Sequence, residues 1–251
     1  MTSTNPAPID PRDAKTFPQL IRAAAAAYGD EVSICVKAEG LPDEALSFRD
    51  FDRQSAELAR GLIGRGVGKG TRVGFIYGNN PSFGLMFAAI VRAGGIAVPI
   101  STLIKANELV RVLRQSDVAG VIVQRSLLGH DYVQRLCEAL PELTSATSPD
   151  LRLKQAPFLR WLVSSGDDLP AAVQPMSWLT DAAATVSDEL LREVEAEIHT
   201  TDQIMEIYTS GSMALPKGVK HNHGPVIARS HYIRRMTPAA QRGAQLIVPL
   251  P

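Results

Sequence analysis

The densest cluster of reactive side chains runs TSGSMALPK over residues 209–217, directly after the apolar stretch IMEIY at 204–208. Thr209, Ser210 and Ser212 supply hydroxyl donors, and Gly211 lets a backbone approach a ligand closely. Amides gathered at a turn from a strand into a helix form a concavity that favours anions. Lys217 adds a mobile point charge suited to phosphate oxygens, and Pro216 stiffens the approach to it. Residue chemistry alone leaves two readings open, a polyphosphate cradle and an ordinary polar turn. A Walker A loop is excluded. Its G-x-x-x-x-G-K-[ST] order fails here, because Pro216 stands five after Gly211 and Lys217 precedes Gly218.

Other candidate chemistry is weaker. The glycines between Gly61 and Gly70 never satisfy G-x-G-x-x-G, and they follow a helix where a dinucleotide fingerprint follows a strand. They read as a helix C-cap and a turn. His221 and His223 could pair on a metal, yet no third ligand lies near in sequence, so they read as helix-start residues and no metal ligand is assigned. His130, His199 and His231 are isolated and expected at the surface. Asp167-Asp168 reads as a turn before Pro170, and Glu189, Glu193, Glu195 and Glu197 as a solvated helix face. No G-x-S-x-G elbow is present, which disfavours a serine hydrolase of that type.

The elements that must carry the 209–217 segment follow from periodicity. FPQLIRAAAAAY (17–28) reads as a helix closed by Gly29; VSICV (32–36) and ALSF (45–48) read as short strands. Ser47 with Asp50 predicts a capping box, and Phe51, Leu58, Leu62 and Ile63 form one helical stripe. RVGFIYG (72–78) and VAGVIV (118–123) are runs suited to buried strands, as is IAVPI (96–100). Between them lie a helix from Pro81 to Ala93, stopped by Gly94-Gly95, and another over 108–116. Residues 144–156 read as a surface connection, LRWLVSS (159–165) as one more strand and SDELLREVEAEI (187–198) as a charged amphipathic helix. A helix over 224–236 and a final strand at QLIVPL complete the pattern. Strands alternating with helices predict an α/β fold, a mainly parallel sheet flanked by helices.

Bulk properties bound the function. The chain has 251 residues, 45% hydrophobic and 21% charged, which describes a soluble globular protein with length for a core. Lys and Arg number 26, equal to Asp and Glu, so no nucleic-acid footprint is expected. Cys35 and Cys137 belong to no CxxC pattern and fit a reducing compartment. The first sixteen residues lack the apolar core of a secretory signal and read as a flexible arm. The most apolar run, 83–100, is interrupted by Arg92, Gly94-Gly95 and Pro99, so no integral membrane segment is expected and the location expected is cytoplasmic.

The segment TSGSMALPKGV resembles the phosphate-binding signature of the adenylate-forming enzymes, T-S-G-[ST]-T-G-x-P-K-G-V, a superfamily that includes acyl-CoA synthetases and fatty-acid–CoA ligases. The stretch from LSFRDF to FIYGNN (46–80) resembles the family's opening block, and IVRAGGIAVPIS its next block. TTDQIMEIYTSG fits the strand that leads into the loop, and His223 the histidine after it. The resemblance covers roughly residues 17–251. It implies an arm at 1–16, a first α/β subdomain at 17–198 and the start of a second at 199–251.

It also implies a ligase that joins a carboxylic acid to AMP from ATP and then to coenzyme A, with Mg²⁺ assisting. Thr209, Ser210, Gly211, Ser212, Met213, Ala214 and Lys217 are then the nucleotide-phosphate residues, Lys217 also the catalytic cation. Two positions depart from the pattern. Met213 replaces a threonine and Ala214 a glycine, and a hydroxyl lost from a charged group costs about 1.5–3 kcal/mol. A carrier-protein thiol as acceptor, or a homologue that binds nucleotide without catalysis, stays open. So does the acid, with fatty or alicyclic acids expected.

The resemblance further implies an N-terminal fragment of a longer parent, stopping at LIVPLP and not turning over by itself. Its uncovered final strand, ending Pro249-Leu250-Pro251, is expected to promote self-association.

Overall fold

The computed structural model describes residues 9–37, 43–127, 129–209 and 217–236. In chain order it begins α1 (Phe17–Tyr28), β1 (Val32–Val36), β2 (Glu44–Ser47), α2 (Phe48–Gly64), β3 (Arg72–Ile76) and α3 (Pro81–Arg92). There follow β4 (Ile96–Pro99), α4 (Ala106–Gln115), β5 (Gly120–Val123), β6 (Ser126–Leu127), β7 (His130–Asp131) and α5 (Tyr132–Ala139). Then come β8 (Trp161–Ser164), β9 (Val173–Pro175), α6 (Ser177–Ala183), α7 (Asp188–Ala196), β10 (Gln203–Thr209), β11 (Lys217–Asn222) and α8 (His223–Met236).

Seven of these strands form one sheet in the order β11-β10-β4-β3-β5-β8-β9. Every neighbouring pair is parallel except β10 with β11, which are antiparallel. The α/β class and the mainly parallel sheet read from the sequence are therefore what the chain adopts. Period-two alternation explains why short, continuously apolar runs became its centre. Val73, Phe75, Ala97, Ile122, Trp161 and Val163 face one core, with α2, α3, α6 and α7. Ile76, Val98, Val121, Val123 and Leu162 face the other, with α4 and α5.

Local signals account for the helix ends. Ser47 caps α2, accepting from Asp50 N at 3.0 Å. The Asp50 carboxylate accepts the Ser47 hydroxyl at 2.9 Å, where the expected reciprocal box would have it take the Ser47 amide. Asn80 caps α3 with Pro81 at its first position. Gly66 and Gly70, at φ +83° and +81°, make the turn after α2, as a C-cap reading of those glycines requires. Gly61 serves packing instead. A Cβ there would collide with the Leu179 carbonyl, so α2 and α6 touch backbone to backbone.

Three expectations are corrected. Residues 9–16 lie in the segment read as a flexible arm, yet Pro11–Asp13 form a 3₁₀ turn capped by Asp10, and Ala14 and Thr16 are buried. Leu151, Leu153 and Ala156, in the stretch read as a surface connection, are buried against the α4/α5 core, where apolar spacing without a regular period hid them. Glu195 is not part of a solvated face. It is 6% exposed, and its Oε1 accepts Arg92 Nε at 2.6 Å while Oε2 pairs with Arg22. Arg92 is itself fully buried, donating Nη1 to Asp52 O and Ser55 Oγ at 2.7 Å each. The other three glutamates, Glu189, Glu193 and Glu197, are exposed as expected. The terminal strand expected at QLIVPL lies outside the described residues.

Candidate functional site

Of the predicted phosphate residues, Ser210, Gly211, Ser212, Met213 and Ala214 lie outside the described residues. The structure does define what flanks them. Thr209 ends β10, Lys217 opens β11, and the two are direct partners across the antiparallel pair. β10 is held on its other side by β4, with Met205 opposite Ala97. Lys217 is exposed.

The segment was expected at a strand-to-helix turn. It stands instead between two strands, and the helix begins only at His223. Lys217–Asn222, KGVKHN, holds one β-branched residue, Val219, so its strand character comes from pairing with β10 and not from propensity. Among the strands described, β11 is the edge next to β10, and Lys217 and Lys220 place charge on it, a common guard against edge-to-edge association.

His223 is the site residue the sequence read least well. It is 1% exposed, its Nδ1 accepts the Phe17 amide at 3.2 Å, and its own amide donates to Asp202 O at 3.0 Å. An Nδ1 that accepts from an N–H places the ring proton on Nε2 in the neutral form. His223 Nδ1 is thus engaged in joining α8 to α1. Among the described residues no three His, Cys, Asp or Glu converge on a metal-sized gap. His130 and His199 are exposed as expected, whereas His231 is half-buried with Nε2 3.2 Å from Ala14 O. Asp168 has φ +52°, and Arg125 donates to both the Asp167 and Asp168 carbonyls, a turn and not an acid–base pair.

Burial pushes His223 down from 6.5 to about 4. The unfolded chain then binds one more proton than the folded chain between those values, so stability falls as pH drops from 6.5 towards 4. A shift of that size corresponds to a loss of about 3 kcal/mol across the window. Asp50, Asp131 and Asp202 are held below the ordinary carboxylate value of 3.8, so their contributions are lost at lower pH still. Urea midpoints measured from pH 7 to 4.5 should therefore fall in the native chain. His223→Asn, which keeps an acceptor near Nδ1, should flatten that decline. An equal decline in both would show that another group is responsible.

A cleft of about 250 Å³ lies beside His223, lined by Lys69, Gly70, Gly94, Ile96, Asp202 and Gln203. It is at the Gln203 end of β10, whereas Thr209 and Lys217 lie at the other end. Lys69 in that cleft is already paired, its Nζ 2.8 Å from Asp202 Oδ2 and from Glu197 O. The cleft therefore lies at the end of β10 away from Thr209 and Lys217.

Residues 21–251 match the model of the AMP-binding enzyme family. The chain belongs to that family. YngI of Bacillus subtilis, which carries the provisional name of acyl-CoA synthetase, is 29% identical over 84% of this chain and 38% of its own length. The mitochondrial medium-chain acyl-CoA ligase of Rattus norvegicus is 25% identical over 94% of this chain and 38% of its own. Among solved structures, a long-chain-fatty-acid-CoA ligase from Archaeoglobus fulgidus aligns over 88% of this chain and 39% of that one. Its TM-score is 0.65 at 21% identity, which makes the likeness one of fold.

This AMP-binding chain thus spans about two fifths of the length of the curated relatives it matches. Its acyl-CoA synthetase and ligase relatives bear out the superfamily read from TSGSMALPKGV. Among the described residues no helix is long and apolar enough to cross a membrane. Two residues that sequence reasoning passed over, Glu206 and Tyr208, underlie β11. A carboxylate inside the apolar run IMEIY was the available signal.

Proposed function

We propose that this chain supplies the nucleotide-phosphate grip of an ATP-dependent carboxylic acid:CoA ligase that forms AMP. What carries the reading is a TSGSMALPKG segment bracketed by the Thr209–Lys217 strand pair in a member of the AMP-binding family. The names of the relatives, acyl-CoA synthetase and medium-chain acyl-CoA ligase, support coenzyme A and a small carboxylic acid as the other reactants.

In the reaction a carboxylate oxygen attacks the α-phosphorus of ATP. The bond from that phosphorus to the bridging oxygen breaks, and pyrophosphate leaves with the electron pair. The thiol sulfur then attacks the acyl carbon, its proton passes to solvent, and AMP leaves. Phosphoryl chemistry of this kind asks the protein for position and charge neutralisation. Ser210, Gly211, Ser212 and Thr209 are proposed to hold phosphate oxygens, with Met213 and Ala214 lining the same bend. The Lys217 ammonium is proposed to offset charge on the departing pyrophosphate. No step is assigned to Mg²⁺.

A second reading has one observation in its favour. Met213 and Ala214 remove a hydroxyl and a glycine from the pattern, which suits a homologue that binds nucleotide without turning it over. Acid-dependent exchange of labelled pyrophosphate into ATP separates the two. It should be run across fatty, alicyclic and aromatic acids, on this chain and on any longer polypeptide that contains it. The ligase reading expects exchange with one acid class. ATP binding without exchange across the panel would favour the second reading, and no ATP binding at all would remove both.

A further inference from the structure

The strand entering the motif carries an acid where its apolar pattern has no place for one. Glu206 is 4% exposed. Its Oε1 accepts the Tyr208 hydroxyl at 2.6 Å, and its Oε2 faces Gln203 Nε2 at 3.3 Å and Arg72 Nε at 3.4 Å. Arg72 opens β3, which is separated from β10 by β4, so this ion pair bridges across a strand. Burial first, and then the Glu206 carboxylate, hold the Tyr208 phenol well above its ordinary value, so it stays a donor through the neutral range.

Glu206 and Tyr208 are two residues apart and share a face of β10. Their partners on β11 are Lys220 and Gly218. A Cβ at Gly218 would stand 2.5 Å from Glu206 Oε1 and 3.0 Å from Tyr208 Cζ. The carboxylate–phenol pair therefore lies flat against the β11 backbone at the residue beside Lys217. Two aliphatic side chains would cover the same face without the cost of desolvating a carboxylate. What they would lack is register, because a one-residue slip reverses every side chain of a strand. On β11, only Gly218 admits the crossing pair, so only one register fits.

We infer that Glu206, Tyr208 and Gly218 form a clasp that sets the β10–β11 register, and that Glu206 and Tyr208 are thereby positioning residues for Lys217. The kinetic half of this rests on the ligase reading; the clasp itself does not. Its first test is hydrogen–deuterium exchange of the native chain, Tyr208→Phe, Glu206→Ala and Gly218→Ala. Loss of a hydrogen bond to a buried carboxylate should speed exchange of the β10 and β11 amides about tenfold or more. The β5 and β8 amides, which lie beyond β3 and which Glu206 does not pair with, should be unchanged, which also shows that the variants are folded. Gly218→Ala should speed exchange in the native background and have a smaller effect in Glu206→Ala, where the nearest obstructing atom is gone and the Tyr208 ring has room to shift. Unchanged β11 amides, or a Gly218→Ala effect of equal size in both backgrounds, would overturn the clasp.

The second test is acid-dependent pyrophosphate exchange in the active polypeptide. Tyr208→Phe should lower turnover about tenfold, as a displaced charge does, with little change in KM for ATP. Glu206→Gln, which keeps an acceptor for Tyr208, should recover most of what Glu206→Ala loses. An active parent whose Tyr208→Phe variant turns over at the native rate sinks the positioning role. An inactive parent with the expected amide pattern sinks the ligase reading and leaves the clasp standing.

Discussion

Replacing Lys217 by alanine is expected to slow acid-dependent ATP–pyrophosphate exchange by about 10²–10³-fold, the scale seen when one preorganised charge-stabilising group is removed. The charge that Lys217 would offset grows as pyrophosphate departs, so the loss should fall on turnover. The apparent constant for the acid, which meets other parts of the site, should move much less. Stability offers a control. Lys217 is exposed, and surface changes of this kind shift stability by about 0.5 kcal/mol or less. An inactive but normally stable variant is the expected outcome. Lys217→Arg keeps the charge but spreads it over a planar fork, so it should recover only part of the rate. Turnover within about twofold of native for Lys217→Ala would mean that this cation does not meet the reacting phosphates, and the ligase mechanism proposed for the segment would have to be abandoned.

Elements whose fate is decided locally were legible in the sequence. α1 runs from Phe17 to Tyr28 because proline and glycine punctuate it, and β1 matches VSICV because apolar alternation and turn residues bound it. The buried strands β3, β4, β5 and β8 showed as continuous apolar runs because helices cover both faces. What stayed hidden depends on partners distant in sequence. β11 is a strand because β10 offers an open edge, and nothing in KGVKHN announces it. α6 and β9 are short and hold few apolar residues, whereas α5 carries a helical stripe, Tyr132, Val133, Leu136 and Ala139, that was in the sequence and was passed over.

The candidate site divides the same way. Lys217 and its hydroxyl neighbours were visible because the motif is contiguous. Glu206, Tyr208 and Gly218 act through a cross-strand register, and a register cannot be read before the pairing is known. His223 was placed at a helix start correctly, since α8 begins there. Its burial against α1 was invisible, because the Phe17 amide it accepts from is 206 residues away.

Glu195 shows how far a composition argument can mislead, and it supports the largest stability prediction. α7 reads DELLREVEA, acidic enough that any one glutamate looks solvated. The three-dimensional position decides otherwise. Glu195 lies over the end of α3, where Arg92 closes an apolar helix with no route to water. The guanidinium binds Glu195, the Asp52 carbonyl and Ser55, so one side chain ties α2, α3 and α7 together, and Arg22 adds α1 through the other glutamate oxygen. Removing one member of a buried pair strands the other charge, at a cost of about 3–5 kcal/mol. Asp52 would remain 2.8 Å from Arg92 Nη1, which favours the lower part of that range for Glu195→Ala. For a chain of this length such a loss should lower the melting temperature on the order of 6–12 °C. The double variant Arg92→Met/Glu195→Leu should cost less than Glu195→Ala alone, because no buried charge is left uncompensated. Urea denaturation of the native chain, Arg92→Met, Glu195→Leu and the double variant measures the coupling directly. A Glu195→Ala loss below about 1 kcal/mol, or singles that simply add, would show that water reaches Arg92 and that the four helices are joined by apolar contact alone.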